Sequence, residues 1–167
     1  MQLLRIYYAY FSPGNTTEKV VSHIASSFQN YPVESINLTD YATRQEDYYF
    51  KENELLIIGV PAYGGRVPAP VVDALRHFTG SNTPVVLVAT YGNRDIDDTL
   101  IELKKNVIDK GFIPVGAASF VCQHTFLKEC AEGRPDEEDL KMAREFGDKL
   151  KAVSYTHLRA HETKANL

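Results

Sequence analysis

Three short, almost uninterrupted apolar runs constrain the fold of this chain more than any other feature. They are Leu3–Ala9, Leu55–Val60 and Val85–Ala89. Only the first run is interrupted by a charged residue, Arg5. A strand that faces water on one side alternates polar and apolar residues, whereas a parallel strand covered on both faces by helices is apolar throughout. The runs therefore predict buried parallel strands in a sheet that has helices on both faces.

Segments with helical periodicity separate these runs, and further strands complete the pattern. The predicted helices cover about Thr16–Asn30, the residues after Pro70 with Gly80 as C′ residue, about Asp95–Lys110, and the segment that opens at Pro135. Val33–Leu38 is predicted to be an edge strand and Ile113–Val121 a fifth strand. The polar segment Thr39–Asn53 is predicted to be a connection with at most one short helix. Five strands that alternate with helices indicate an α/β fold with a doubly wound parallel sheet.

Length and composition favour one globular domain and exclude several partners. The 167 residues suffice for a full core. A net charge of -4, from 18 Lys+Arg against 22 Asp+Glu, argues against nucleic acid as a main partner. No apolar run approaches the roughly 20 residues that span a bilayer. We expect no signal peptide, and Cys122 and Cys130 are predicted to be free thiols of a cytoplasmic protein.

The loop between the first strand and the first helix has the composition of a phosphate site. It contains Ser12, Gly14, Asn15, Thr16 and Thr17. A helix start offers unpaired N–H groups, glycine allows a ligand to approach the backbone, and hydroxyls add donors, so the loop suits a phosphate monoester. The loop has neither a Walker lysine nor a G-x-G-x-x-G motif. The alternative is that these side chains only cap the helix.

Two more loops leave the carboxyl ends of strands at the same edge of the predicted sheet. Pro61–Pro68 contains Tyr63-Gly64-Gly65, and Thr90–Asp98 contains Tyr91-Gly92-Asn93. An aromatic ring beside a glycine can lie flat on a planar ligand while the bare backbone bonds to the ligand's edge. Ligands of such sheets bind at this edge. A planar heterocycle with one phosphate fits these loops, and FMN matches that description better than NAD or ATP.

Several segments resemble the flavodoxin family. Ser12-Pro13-Gly14-Asn15-Thr16-Thr17 is similar to the T/S-x-T-G-x-T phosphate loop of flavodoxins, with Gly14-Asn15 in place of the usual Thr-Gly. The segments Gly59–Pro68, Tyr91–Arg94 with Asp97-Asp98, Phe120–Phe126 and Gly133–Asp136 resemble the N-terminal domain of bacterial flavodoxin–ferredoxin fusion proteins. The resemblance covers roughly residues 3 to 150. It implies a flavodoxin-like sheet of strand order 2-1-3-4-5, FMN as cofactor, and a ferredoxin-type iron–sulfur module as redox partner.

The resemblance and the three loops together predict the cofactor-binding residues. These are Ser12, Gly14, Asn15, Thr16, Thr17, Pro61, Ala62, Tyr63, Gly64, Gly65, Thr90, Tyr91, Gly92, Asn93 and Asp98. No catalytic residue and no metal ligand is predicted. Beside the crevice, His124 is either a donor to the flavin or a surface histidine, and Arg66 and Arg94 are either cations near the ring or solvated side chains.

The predicted function is that of an FMN-binding electron-transfer domain, which exchanges electrons with an iron–sulfur or other redox partner. Neither a membrane nor nucleic acid is predicted to be a partner. Two alternatives stay open. One is an NAD(P)H-dependent quinone or FMN reductase on the same fold. The other is a domain that retains the fold but no longer binds FMN.

The last residues are set apart from this domain. The domain is predicted to span residues 1–153, and residues 154–167 are predicted to be a non-native or disordered tail, since they lose helical periodicity and resemble translated adapter sequence. His157 and His161 have a spacing that suits a metal on a helix, but no third ligand accompanies them.

Overall fold

The computed structural model describes the backbone of residues 2–165 and the surroundings of the side chains of residues 2–153. Strands and helices alternate along most of the chain. In chain order they are β1 (Arg5–Tyr10), α1 (Thr16–Ala25) with a 3-10 turn (Ser26–Phe28), β2 (Val33–Asn37), α2 (Tyr41–Arg44), β3 (Tyr48–Phe50), β4 (Glu54–Pro61), α3 (Ala69–Leu75), β5 (Phe78–Gly80), β6 (Thr83–Tyr91), α4 (Thr99–Ile108), β7 (Phe112–Val121) and α5 (Glu137–Ala165).

The main sheet has five parallel strands in the order β2-β1-β4-β6-β7. This confirms the predicted parallel sheet, but the strand numbering differs from the predicted 2-1-3-4-5. The difference arises from β3 and β5, two short strands that the sequence analysis did not predict. They pair with each other in a separate parallel sheet, so the later strands of the main sheet carry higher numbers.

The short second sheet also corrects the predicted end of the third helix. Helix α3 ends at Leu75, so Gly80 is not its C′ residue, and Phe78 lies in β5. The ring of Phe78 packs against Tyr48 and Phe50, with ring centroids 5.1 and 5.4 Å away. Aromatic packing of this kind stabilises the paired strands.

Helices cover both faces of the sheet, and the central strand shows why its sequence is apolar throughout. Leu55 and Ile57 of β4 pack in the core beneath α1 and α5. Leu56 and Ile58, which alternate with them, pack in the core beneath α3 and α4. All four side chains are fully buried, as a strand between two helical layers requires.

The last helix extends beyond the predicted domain end. Its backbone is helical from Glu137 to Ala165. The side chains of 154–165, His157 and His161 among them, lie outside the described residues, so the non-native origin of the tail stays a prediction. Over the described part of the chain, no helix combines the length and the apolar character that crossing a membrane requires.

Helices α1 and α5 cross at Gly147, and this contact generates a stability prediction. A Cβ at position 147 would lie 2.5 Å from the carbonyl oxygen of Ile24 and 2.5 Å from Oγ of Ser27. Alanine in a helix gains about 1 kcal/mol over glycine, but overpacking costs about 1–3 kcal/mol. Gly147→Ala should therefore lower the free energy of unfolding measured in urea. A gain of about 1 kcal/mol, the pure propensity effect, would show that the helices do not approach this closely.

Candidate functional site

The three predicted loops meet because β1, β4 and β6 are neighbours in the sheet. Tyr10 pairs with Gly59, and Pro61 pairs with Thr90, so the strands end at the same edge. Two adjoining cavities of about 220 and 420 Å³ open there. We call them the small and the large cavity. The volume of the large cavity lies in the range of small-molecule sites, about 300–1,000 Å³.

The small cavity lies at the start of α1. Ser12, Gly14, Thr16 and Thr17 line it. Helix α1 begins at Thr16 after Asn15, whose φ of 63° turns the chain into the helix. As the first two helical residues, Thr16 and Thr17 have N–H groups without intrahelical acceptors. Together with the positive end of the helix dipole, these groups favour an anion in the cavity.

Two hydroxyls that are predicted to bind a ligand also have protein partners. Oγ of Ser12 accepts a 3.0 Å hydrogen bond from the N–H of Glu18, so Ser12 caps α1. Oγ1 of Thr17 lies 2.8 Å from Oγ1 of Thr90, a buried bond that ties α1 to the end of β6. Ser12 thus also acts as a cap of α1. Because its oxygen only accepts in this bond, its O–H can still donate to a ligand, as can the N–H groups and Thr16.

Tyr63 and Tyr91 both line the large cavity. Tyr63 is 41% exposed and packs edge-on against Phe11, with ring centroids 6.1 Å apart. Burial of the rest of its side chain raises the pKa of Tyr63. Reciprocal backbone hydrogen bonds of 3.0 and 3.1 Å between Tyr63 and Arg66 hold the loop in a tight turn. The aromatic ring is therefore held at the mouth of the cavity.

The glycines of the loops serve two different purposes. Gly64 has a φ of +56°, which favours glycine, and the space beside its Cα is open. A Cβ on Gly65 would lie 2.5 Å from the Asp97 side chain, and a Cβ on Gly92 would lie 2.5 Å from the His124 ring. Gly65 and Gly92 thus allow one loop to pack on another, whereas Gly64 leaves backbone accessible to a ligand.

The two arginines beside the crevice differ. Arg66 donates from Nε to Glu102 over 2.8 Å, and the N–H of Val67 bonds to the same carboxylate. The hydrogen bond from Arg66 lowers the pKa of Glu102. Arg66 lines neither cavity, whereas Arg94 lines the large one.

Of the predicted binding residues, all except Asn15, Asn93 and Asp98 line one of the two cavities. Asn15 and Asn93 each have a φ of 63°, a left-handed conformation that turns the backbone in the two loops. Asp98 immediately precedes α4 and donates its N–H to the carbonyl of Gly65 over 3.0 Å.

A fourth loop, residues 122–134 after β7, lines the site beside the three predicted ones. It contributes Cys122, Gln123, His124, Thr125, Phe126 and Lys128. Of these, the sequence analysis considered only His124 as a flavin contact. One feature of the sequence could have pointed to the other residues: this loop, like the three predicted ones, follows the carboxyl end of a strand. Cys122 and Cys130 are free thiols, as predicted, and burial raises the pKa of Cys122 to about 12.

Comparisons with known proteins show the fold. No protein-family model and no curated protein sequence matches the chain. Among solved structures, a flavodoxin from the domain Archaea has a TM-score of 0.62 at 12% identity and covers 92% of this chain and 99% of its own. Flavodoxin 2 from Bacillus cereus has a TM-score of 0.60 at 14% identity, covering 91% of this chain and 98% of its own. The chain therefore has a flavodoxin-like fold.

A larger protein also contains this fold. Rubredoxin oxygen:oxidoreductase from Desulfovibrio gigas has a TM-score of 0.65 at 14% identity. The match covers 92% of this chain but only 37% of the Desulfovibrio gigas chain.

The fourth loop is anchored by Arg134, which donates two hydrogen bonds to the nearly buried carboxylate of Asp139. This contact lowers the pKa of Asp139. Asp139→Asn should cost about 1.5–3 kcal/mol of unfolding free energy at pH 7. Because the folded-state pKa is lowered, the contribution is complete above the unfolded pKa, about 3.9, and is lost as the pH falls through the folded value.

The measurement is urea unfolding of the wild type and the variant between pH 3 and 7. Asp148→Asn is the control, since Asp148 forms an exposed pair with Lys151 and such pairs contribute about 0–1 kcal/mol. A difference between wild type and Asp139→Asn that does not change across this range would contradict the role of the ion pair.

Proposed function

We propose that the chain is an FMN-binding electron-transfer domain. The observation that carries the proposal is the pair of adjoining cavities at the carboxyl edge of the sheet. The small one adjoins the unpaired N–H groups of Thr16 and Thr17 and suits a phosphate monoester. The large one lies beside Tyr63 and Tyr91 and suits a planar ring system.

The residues present fit FMN. Gly14 and the start of α1 would hold the phosphate, and the space at Gly14 is open. Tyr63 and Tyr91 would contact the ring system, while the open backbone at Gly64 would lie beside its edge. Bound FMN supplies one- and two-electron exchange, and the protein supplies position and electrostatics.

Electron transfer is favoured over hydride transfer by the two tyrosines. A nicotinamide must stack on a free ring face to deliver a hydride, and Tyr63 and Tyr91 would occupy that space. Because Tyr63 is partly exposed, the site beside it opens to the surface, where a redox partner could approach a bound flavin. Rubredoxin oxygen:oxidoreductase from Desulfovibrio gigas contains the same fold within a longer chain. This supports the proposal that the present chain is one redox module that exchanges electrons with another, such as an iron–sulfur module.

Replacement of Tyr63 tests whether the large cavity binds the ring. Tyr63→Ala should weaken FMN and riboflavin by a similar factor of about 10, because both ligands contain the ring that the tyrosine would contact. Flavin fluorescence titration measures both affinities. Tyr49→Ala is the matched control, since Tyr49 is 73% exposed and lines neither cavity. Unchanged flavin affinities in Tyr63→Ala would mean that the flavin ring does not bind beside Tyr63. If the wild type binds neither flavin, the alternative of a domain that retains the fold but no longer binds FMN is favoured.

Reduction kinetics test the choice between carrier and reductase. Stopped-flow mixing of the FMN-loaded chain with NADH or NADPH should show slow flavin reduction, whereas a reduced ferredoxin should reduce the flavin quickly. The physical reason is that one-electron transfer needs only an exposed ring edge, while hydride transfer needs an open face. Fast reduction by either nicotinamide, followed by turnover of a quinone, would assign the chain to the reductases.

A further inference from the structure

We propose that the fourth loop completes the phosphate end of the site, and that His124 and Lys128 bind the phosphate monoester of the ligand there. Both side chains line the small cavity, together with Ser12, Gly14, Thr16 and Thr17 from the first loop. This inference rests on the proposed function. Lys128 belongs to none of the predicted motifs, and His124, which the sequence offered as a donor to the flavin, is here assigned to the phosphate.

Hydrogen bonds hold the fourth loop against the site. The Gln123 N–H bonds to the Arg134 carbonyl over 2.9 Å, and the His124 N–H bonds to the Cys130 carbonyl over 3.0 Å. Sγ of Cys130 donates to the carbonyl of Gly92 over 3.1 Å, which joins the fourth loop to the third. The backbone of the loop that carries His124 and Lys128 is therefore held in place by the fold, so a ligand need not order that backbone on binding.

The contacts of His124 determine which ring nitrogen carries the proton. Nδ1 lies 3.1 Å from the N–H of Phe126 and 3.0 Å from the N–H of Leu127, and both are donors. Nδ1 must then be the acceptor, so the proton of the neutral ring is on Nε2. Nε2 has no hydrogen-bond partner among residues 2–153. His124 lines both cavities and so offers a donor where they meet.

Lys128 supplies a positive charge at one end of the site. It lines the small cavity and not the large one. Its ammonium group forms no ion pair with any residue whose side chain the structure describes. At the other end, Asp95, Asp97 and Arg94 line the large cavity, so acidic side chains outnumber basic ones there. This separation of charge favours a ligand whose anionic group lies by Lys128 and whose neutral ring lies in the large cavity.

Affinities for FMN and riboflavin measure the contribution of these two residues, because riboflavin lacks only the phosphate. Lys128→Met should weaken FMN about tenfold, as the loss of one charge-assisted bond does, and should leave riboflavin within about twofold. The preference of the wild type for FMN should also fall as salt rises from about 50 to 500 mM, over which the Debye length shortens severalfold. Lys104→Met is the matched control, since Lys104 is exposed and lines neither cavity.

His124→Asn separates the donor from the structural role of the histidine. The asparagine oxygen can still accept the N–H groups of Phe126 and Leu127, but the side chain is too short to reach the place of Nε2. The melting temperature should be unchanged, while FMN should weaken about tenfold and riboflavin little. In the wild type, the ¹⁵N shift of His124 Nε2 should move when FMN binds, which a purely structural histidine would not show.

The outcomes separate this inference from the proposed function. If the wild type binds FMN but Lys128→Met and His124→Asn keep its affinity, or weaken FMN and riboflavin equally, the inference is overturned and the proposed function stands. If the wild type binds neither flavin, titration with inorganic phosphate tests whether the phosphate site exists without FMN. Phosphate-induced changes in the amide chemical shifts of residues 14–17 that are absent in Lys128→Met would support the site. No response to phosphate overturns both.

Discussion

The burial of β4 on both faces is the constraint on which the rest of the structure depends. Its residues from Glu54 to Val60 are all buried. A strand without a solvent face needs a helical layer on each side, and a parallel neighbour can be reached only by a crossover. The chain must therefore alternate strand and helix. Since all strands of the main sheet run in the same direction, their carboxyl ends and the loops that follow them meet at one edge.

The candidate site is built by loops that pack on one another. Gly65 and Gly92 have no room for a side chain because Asp97 and His124 occupy the adjacent space. The buried contact between Thr17 and Thr90 links the first loop to the third, and the Cys130 thiol links the fourth loop to the third. Loops that contact one another in this way form a largely preorganised site, which lowers the entropy cost of binding a ligand.

Charge is distributed unevenly around the two cavities, although the chain as a whole is only mildly acidic. The small cavity combines Lys128 with the positive end of the α1 dipole. The large cavity is lined by Asp95, Asp97 and Arg94, and Arg94 lies 3.5 Å from the carboxylate of Asp97. The local field therefore differs between the two ends of one crevice, which orients an elongated ligand with a single anionic group.

The class of fold and the position of three loops follow from the amino-acid sequence alone. Uninterrupted apolar runs such as Leu55–Val60 are typical of doubly covered parallel strands, and loops after such strands lie at one edge for topological reasons. These are local properties, so they can be recognised one segment at a time.

Which polar groups remain available to a ligand depends on contacts between segments that are distant in the sequence. The hydroxyl of Thr17 is bonded to Thr90, 73 residues away, and Arg66 is bonded to Glu102, 36 residues away. The small sheet of β3 and β5, and the return of residues 122–134 over the crevice, likewise depend on contacts between distant segments. No local pattern encodes such pairings, because they form only when packing of the core has brought the segments together.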